Sequence, residues 1–280
     1  MSSSAPKPLI APAPSPIARF VADHRRSFVV RKFAGLARRY LSWFGNVNYD
    51  HRSNGEEFVL ATLRRFQPRL IVDAGANVGV WTRLAISHCP GVEIHAFEIS
   101  PPTYQRLVAN VAGHPGIHCV NLGVSDKPGR MSIRYYQDAP ELTTVLDYPH
   151  PFPYTEQTVE VTTGDHYAEQ HGIAHIDMLK IDVEGMELEA LNGFGRMLER
   201  RAIDIIQFEY GRSSIIHKFL LRDFCLFFRE RGYLAGKIYP NYVDLREYDF
   251  GDEDFFGPNY LACREDLPGH VAAFRGEARP

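Results

Sequence analysis

Asp73, Gly75, Asn77 and Gly79 close an apolar run, LIVDAGANVG, that extends from Leu70 to Gly79. The segment that follows, VWTRLAISH, has helical spacing. Strand, glycine turn and helix in that order bring backbone amides close to a nucleotide-like ligand. Glycine is required there because a Cβ would block close approach and positive φ. The pattern departs from G-x-G-x-x-G, in which a pyrophosphate sits on a helix N-terminus. Here the glycines are four apart and Asp73 precedes them by two. That acid would repel a pyrophosphate and attract a ligand bearing an ammonium group, as S-adenosylmethionine does. Glu98 ends a second apolar run, VEIHAFEIS, 19 residues beyond Gly79. The usual spacing of a ribose-binding carboxylate is about 20 residues. An ionised carboxylate there accepts from both ribose hydroxyls.

A further group of acids lies downstream. In HIDMLKIDVEGMELEAL, the run MLKI reads as a buried strand, with Asp182 and Glu184 at its carboxyl end. In an open α/β sheet, ligands sit outside the carboxyl ends of the strands. Asp182 and Glu184 therefore fit proton transfer or binding of a divalent metal. Glu187 and Glu189 fit the plainer role of first-turn helix acids. Lys180, within the run, is expected buried and partnered. IDIIQFEYGR ends in Gln207, Glu209 and Tyr210, with Gln207 and Glu209 on one face of the strand. That polar pair suggests a pocket wall, which His217 in the next helix could overhang. His114 and His118 flank a Pro-Gly pair and are poor ligand candidates.

Elements to position these residues follow from periodicity. Strands are expected at 70–74, 92–97, 117–122, 177–182 and 203–209, and helices at 79–88, 102–112, 184–199 and 214–231. Alternation of this kind predicts a doubly wound, mostly parallel sheet. Segments 232–238 and 260–263 read as a closing antiparallel pair at one edge. Asn54 to Arg65 reads as a helix, and the macrodipole accounts for Glu56 in its first turn. Between residues 126 and 165 the alternation is interrupted by a hairpin, RMSIRYY and TVEVTT, around a long Pro-rich loop containing Tyr148, Phe152 and Tyr154. Long loops within compact domains are usually lids or binding loops.

The chain has 280 residues, enough for one large α/β domain or two small ones. Its net charge of −3 argues against a nucleic-acid partner. The four cysteines form no C-x-x-C pair, so reduced thiols in a cytoplasmic protein are expected. Met1 to Pro16 is rich in Ser, Ala and Pro, lacks a signal-peptide core and is expected disordered, as is the tail from about Leu267. Residues 17–66 are expected to form a helical segment before the main domain, 67–265. Within 17–44, seven basic residues face one acid, and Phe33, Leu36, Tyr40 and Phe44 share a helical face. Such a helix either lies on an anionic membrane or packs on the rest of the chain or a partner.

These motifs together resemble the FkbM family of S-adenosylmethionine-dependent methyltransferases. The matching pieces are NGE at 54–56, VDAGANVG at 72–79, AFEISP at 96–101, GVSDKPG at 123–129, LKIDVEGMELEAL at 179–191, IQFEYG at 206–211, Glu253 and NYLA at 259–262. They cover about residues 50–265. The resemblance implies a Rossmann-like class I methyltransferase fold of seven strands with the last antiparallel, and O-methylation of a sugar, glycoconjugate or natural-product hydroxyl. By the same resemblance, Asp73, Gly75, Asn77 and Gly79 would surround the methionine end of the cofactor and Glu98 the ribose. Ser125 and Asp126 would lie near the adenine, and Glu56 would close the pocket.

An aliphatic hydroxyl needs a base as its proton leaves. Asp182 and Glu184 lead the candidates, with Glu209 and His217 behind them. A divalent metal on Asp182 and Glu184 would act instead by lowering the hydroxyl pKa. Tyr148, Phe152, Tyr154 and Tyr210 are candidates for contact with a small-molecule or glycan acceptor. An amine acceptor and a non-catalytic partner protein on the same fold remain the competing readings. A nicotinamide oxidoreductase would want G-x-G-x-x-G, which is missing.

Overall fold

A computed structural model describes residues 15–147 and 151–276. Of the disorder expected over residues 1–16, residues 1–14 lie outside the described residues, as does Tyr148, while Ser15 and Pro16 instead cap and open the first helix. The chain divides into two compact units, 1–45 and 46–280. The boundary falls earlier than residue 66, because the third helix packs in the larger unit.

The first unit holds α1 (Pro16–Asp23) and α2 (Phe28–Phe44). Ser15 and Ser27 cap them by accepting from Ala18 and Val30 amides at 3.2 and 3.3 Å.

The second unit opens with α3 (Glu56–Leu63), then β1 (Leu70–Ala74), α4 (Val80–His88), β2 (Glu93–Phe97), α5 (Pro101–Asn110) and β3 (Ile117–Val120). The interruption follows as β4 (Gly123–Val124), β5 (Gly129–Tyr135) and β6 (Thr155–Thr162). After α6 (Gly164–Gln170) come β7 (Ile176–Ile181), α7 (Glu187–Gly193), α8 (Gly195–Glu199), β8 (Ile203–Glu209), α9 (Ser214–His217) and α10 (Leu221–Arg229). The chain closes with β9 (Tyr233–Tyr239), β10 (Tyr242–Leu245), β11 (Asn259–Arg264) and α11 (Pro268–Phe274).

Eight strands form the main sheet in the order β3-β2-β1-β7-β8-β11-β9-β10. β1, β2, β3, β7 and β8 pair in parallel, while β11 runs antiparallel to both β8 and β9. Central parallel strands are covered on both faces, hence the continuous apolar runs. One face packs Leu179, Ile181, Ile206 and Phe208 against Leu191 and Phe224. The other packs Ile71, Met178, Ile205 and Leu261 against Val59 and Trp81. The expected hairpin appears as the antiparallel pair β5-β6, with β4 added on the outer side of β6.

Several expectations need correction. The sheet has eight strands, because β10 pairs with β9 beyond the expected edge. β11 is interior, between β8 and β9. The helix expected over 184–199 starts only at Glu187, because Glu184 (φ +50°) and Gly185 (φ +100°) form a left-handed turn. The helix expected over 214–231 breaks at Lys218, also left-handed at φ +56°. It restarts where Asp223 accepts from the Leu220 amide at 2.9 Å. Residues 268–276 of the tail are ordered: α11 begins at Pro268 and buries Val271, Ala273 and Phe274. Arg275 then donates to the Leu245 carbonyl at 3.0 and 2.8 Å.

Candidate active site

β1, β2, β7 and β8 are parallel, so Gly75, Glu98, Asp182 and Glu209 all emerge at one end of the sheet. The turn after β1 is left-handed at Gly75 (φ +88°), Asn77 (φ +49°) and Gly79 (φ +82°). The Gly75 and Ala76 amides donate to the Phe97 carbonyl at 3.0 and 2.7 Å, which ties the turn to β2. Glycine is required at 75 for a reason invisible in the pattern. A Cβ there would collide with the carbonyl oxygen of Asp182. The turn after β1 and the turn after β7 therefore touch, backbone to backbone.

Asp73 is fully buried, which corrects its expected contact with an ammonium group. Thr82 Oγ1 donates to its Oδ2 at 2.7 Å, and Lys180 Nζ lies 3.6 Å from its Oδ1. Burial raises the pKa of Asp73 and Lys180 lowers it, with a net rise. Lys180 also pairs with Asp182 at 3.0 Å. Burial opposes the charge on Lys180, but Asp182 and Asp73 outweigh it and hold the lysine protonated. Lys180 is thus the buried, partnered residue expected.

Glu98 is buried as well. Its Oε2 accepts from the Asn77 amide at 3.0 Å and its Oε1 from the Ser100 amide at 2.8 Å. Each oxygen keeps a second lone pair, which fits a pair of ribose hydroxyls. Asn77 Oδ1 is buried with no hydrogen-bond partner in the same turn, a second point of fit for a polar ligand. Ser125 is buried, and its hydroxyl donates to Asp126 at 3.2 Å.

The ligand oxygens of Asp182, Glu184 and Glu209 lie within 4.8 Å of one another. Burial, with Asp182 and Glu187 nearby, pushes the Glu184 pKa well up. Burial also raises Glu209, helped by Asp182 and Glu184. Glu187, read from sequence as a plain helix acid, accepts from the Gly185 and Val183 amides at 3.0 and 3.3 Å and shapes the Glu184 turn. His217 stands over that turn: its Nε2 is buried, has no hydrogen-bond partner and faces Gly185.

Glu56 is buried next to this cluster. Its Oε1 accepts from Gln207 Nε2 at 2.6 Å and Asn259 Nδ2 at 2.9 Å, and His51 Nδ1 bonds its Oε2. Glu56 is thus joined to the pocket wall expected at Gln207.

One expected contact differs. Tyr210 is fully buried and its hydroxyl donates to Glu253, so it braces the loop at 253 and does not face an acceptor. The Arg134 guanidinium lies 5.0 Å over the Tyr154 ring, which packs beside Tyr136, and both Tyr154 and Phe152 are exposed. From the insertion, Thr144 and Leu146 reach the acids. Thr144 Oγ1 donates to the Glu184 carbonyl at 2.7 Å, and Leu146 covers Gly185. Nothing in the sequence marks Thr144, which lies 40 residues from its partner.

Burial raises Glu98 and Glu187 to about 7 each. The folded chain therefore keeps protons that the unfolded chain loses near 4.5. Their stabilising contribution is complete below about 4.5 and is lost as the pH rises through about 7. The ligand-free protein should melt roughly 5 °C higher at pH 6.5 than at pH 8. Glu98→Gln should reduce that difference. A flat melting temperature across this window in a scanning-calorimetry series would remove the account.

The strand order, the antiparallel β11 inside it and the glycine turn facing a ribose-type acid define a Rossmann-like, class I methyltransferase fold. Residues 73–235 match the Methyltransferase FkbM domain, and the chain belongs to that family. It is 31% identical over 157 residues to 31-O-demethyl-FK506 methyltransferase FkbM of Streptomyces tacrolimicus, covering 44% of this chain and 58% of that protein. Methyltransferase sdnD of Sordaria araneosa is 29% identical over 153 residues, 44% of this chain and 59% of that one. Hexuronic acid methyltransferase AglP of Haloferax volcanii is 28% identical over 192 residues, 66% of this chain and 76% of that protein. The chain thus spans less than three fifths of the length of the first two.

Proposed function

We propose that the protein is an S-adenosylmethionine-dependent O-methyltransferase acting on a hydroxyl of a sugar, glycoconjugate or natural product. The observation that carries this is the convergence of Asp182, Glu184 and Glu209 against the Gly75 turn. The relatives' names add support, one specifying an oxygen of a natural product and another a hexuronic acid. A net charge of −3 favours a small molecule or glycan over nucleic acid.

Gly75, Asn77 and Gly79 would hold the methionine end of the cofactor, and Glu98 the ribose. Ser125 and Asp126 would hold the adenine, and Glu56 with Gln207 and Asn259 would close the near wall. S-adenosylmethionine, when bound, supplies an electrophilic methyl on a sulfonium. Glu184 takes the proton of the acceptor hydroxyl. Burial and the neighbouring Asp182 and Glu187 raise its pKa, which makes its carboxylate a stronger proton acceptor than an exposed one. Glu209 shares the proton, and Lys180 fixes Asp182 beside them. Thr144 holds the Glu184 backbone in place. Positioning of this kind supplies much of the acceleration of a displacement.

A second reading has support of its own. Three carboxylates with ligand oxygens within 4.8 Å suit a divalent cation, which would lower the hydroxyl pKa directly.

Calorimetric titration with S-adenosylmethionine and, separately, NADH tests the cofactor. Micromolar binding of the first alone is expected. No binding would favour the non-catalytic reading. In an acceptor screen beginning with sugar hydroxyls, turnover that survives EDTA assigns the proton to Glu184. Turnover lost with EDTA and restored by Mg²⁺ or Mn²⁺ assigns the cluster to a metal.

A further inference from the structure

The helices of the first unit bury no residue. On α2 an apolar stripe has basic side chains along one edge and on the far side of the helix. Val29, Phe33, Leu36, Tyr40 and Phe44 follow i, i+4, i+7 spacing along one face. Arg31 and Arg38 lie on the opposite side of the helix, and Lys32 and Arg39 flank the apolar stripe on one edge. The apolar face is exposed along its length, with Phe33 at 68% and Trp43 at 71%. Across residues 15–44 there are seven Arg or Lys and one acid, in a chain whose net charge is −3. The positive charge is therefore local to this unit.

We propose that residues 15–44 dock on an anionic lipid bilayer, with α2 lying in the plane of the interface. An aromatic and aliphatic face inserts at the acyl boundary while the basic side chains stay among anionic headgroups. The long Arg and Lys stems let the charges reach those headgroups from the helix flanks. Tyr40 and Trp43 fall near the end of α2 and suit the headgroup level. Among the described residues no helix is long and apolar enough to cross a membrane, so this unit lies on the surface. Charge complementarity selects a lipid surface over a second copy of the chain, because two copies would bring seven basic residues against seven. Docking stands independently of the methyl-transfer reading.

Two tryptophans make the test direct. Trp43 is exposed and Trp81 is 2% exposed in the core of the other unit. Full-length protein mixed with phosphatidylcholine vesicles containing a third phosphatidylserine should sediment with them and shift its fluorescence to the blue. Binding should fall about tenfold or more with phosphatidylcholine alone, and again in 0.5 M salt. Phe33→Glu with Leu36→Glu should abolish the shift while leaving S-adenosylmethionine titration unchanged. Replacing Arg31, Lys32, Arg38 and Arg39 by Gln leaves the apolar face intact and should remove the dependence on anionic lipid. No sedimentation of the wild-type chain with anionic vesicles overturns the proposal. So does a dimer in analytical ultracentrifugation that Phe33→Glu with Leu36→Glu dissociates, since a second copy would then own the face.

Discussion

Glu184→Gln is expected to lower kcat about a thousandfold while changing S-adenosylmethionine affinity less than about threefold. The substitution keeps the size of the side chain and removes its ability to take a proton. Nothing about the fold should change, because what holds Glu184 is its backbone. Its carbonyl accepts from Thr144, and the amides of Val183 and Gly185 are held by Glu187. Glu184 is the better choice of base than Asp182, which already has a lysine at 3.0 Å. Asp182→Asn should also cut kcat, by releasing Lys180 from one of its two carboxylates. The measurement is steady-state kinetics beside calorimetry on the same preparation. A parallel loss of cofactor affinity would move Glu184 into the cofactor pocket. An unchanged kcat would point to an amine acceptor, for which a base matters less.

Gly75→Ala is expected to lower the melting temperature by about 10 °C and kcat/KM by about a hundredfold. Two penalties combine. An alanine at φ +88° is strained, and its Cβ would meet the Asp182 carbonyl oxygen. That atom belongs to backbone and cannot rotate away, so the turns after β1 and β7 must separate. Separation pulls the Glu98-facing turn from the carboxylates, hence the loss in rate as well as stability. Gly91→Ala supplies the control. Gly91 is equally left-handed, at φ +85°, but has open space where the Cβ would go. It should cost about 1 kcal/mol and leave kinetics intact. Equal melting temperatures for the two variants would show that the collision is relieved without moving the turns.

What the sequence disclosed divides along physical lines. β8 runs from Ile203 to Glu209, as its apolar run indicates, because a strand covered on both faces writes an unbroken apolar signal. The acids at strand ends were equally legible, since Asp182, Glu98 and Glu209 interrupt such runs. Long-range partnership left no mark. Thr144 and Asn259 act on residues far away in the chain, Glu184 and Glu56, and no periodicity encodes that. Tyr210 misleads for a related reason: a tyrosine beside a carboxylate reads as a pocket residue, yet its partner is the distant Glu253. The helix expected at 184–199 failed because Glu184 itself is left-handed, a conformation its residue type does not advertise. The tail after Leu267, expected disordered from its polar and Gly/Pro content, instead packs Val271 and Phe274 into the core on one face of the sheet.

The placement of β11 bears on how the protein comes into being during translation. Asn259, its first residue, completes the set around Glu56, which is 203 positions earlier in the chain. Until a ribosome has released that strand, β8 has a bare edge toward β9, and Glu56 has one of its amide donors missing. A nascent chain can assemble the parallel half of the sheet and its glycine turn well before the wall around Glu56 is whole. Bare strand edges invite pairing with other chains. Synthesis of this sheet therefore passes through an aggregation-exposed interval between the emergence of β9 and the insertion of β11.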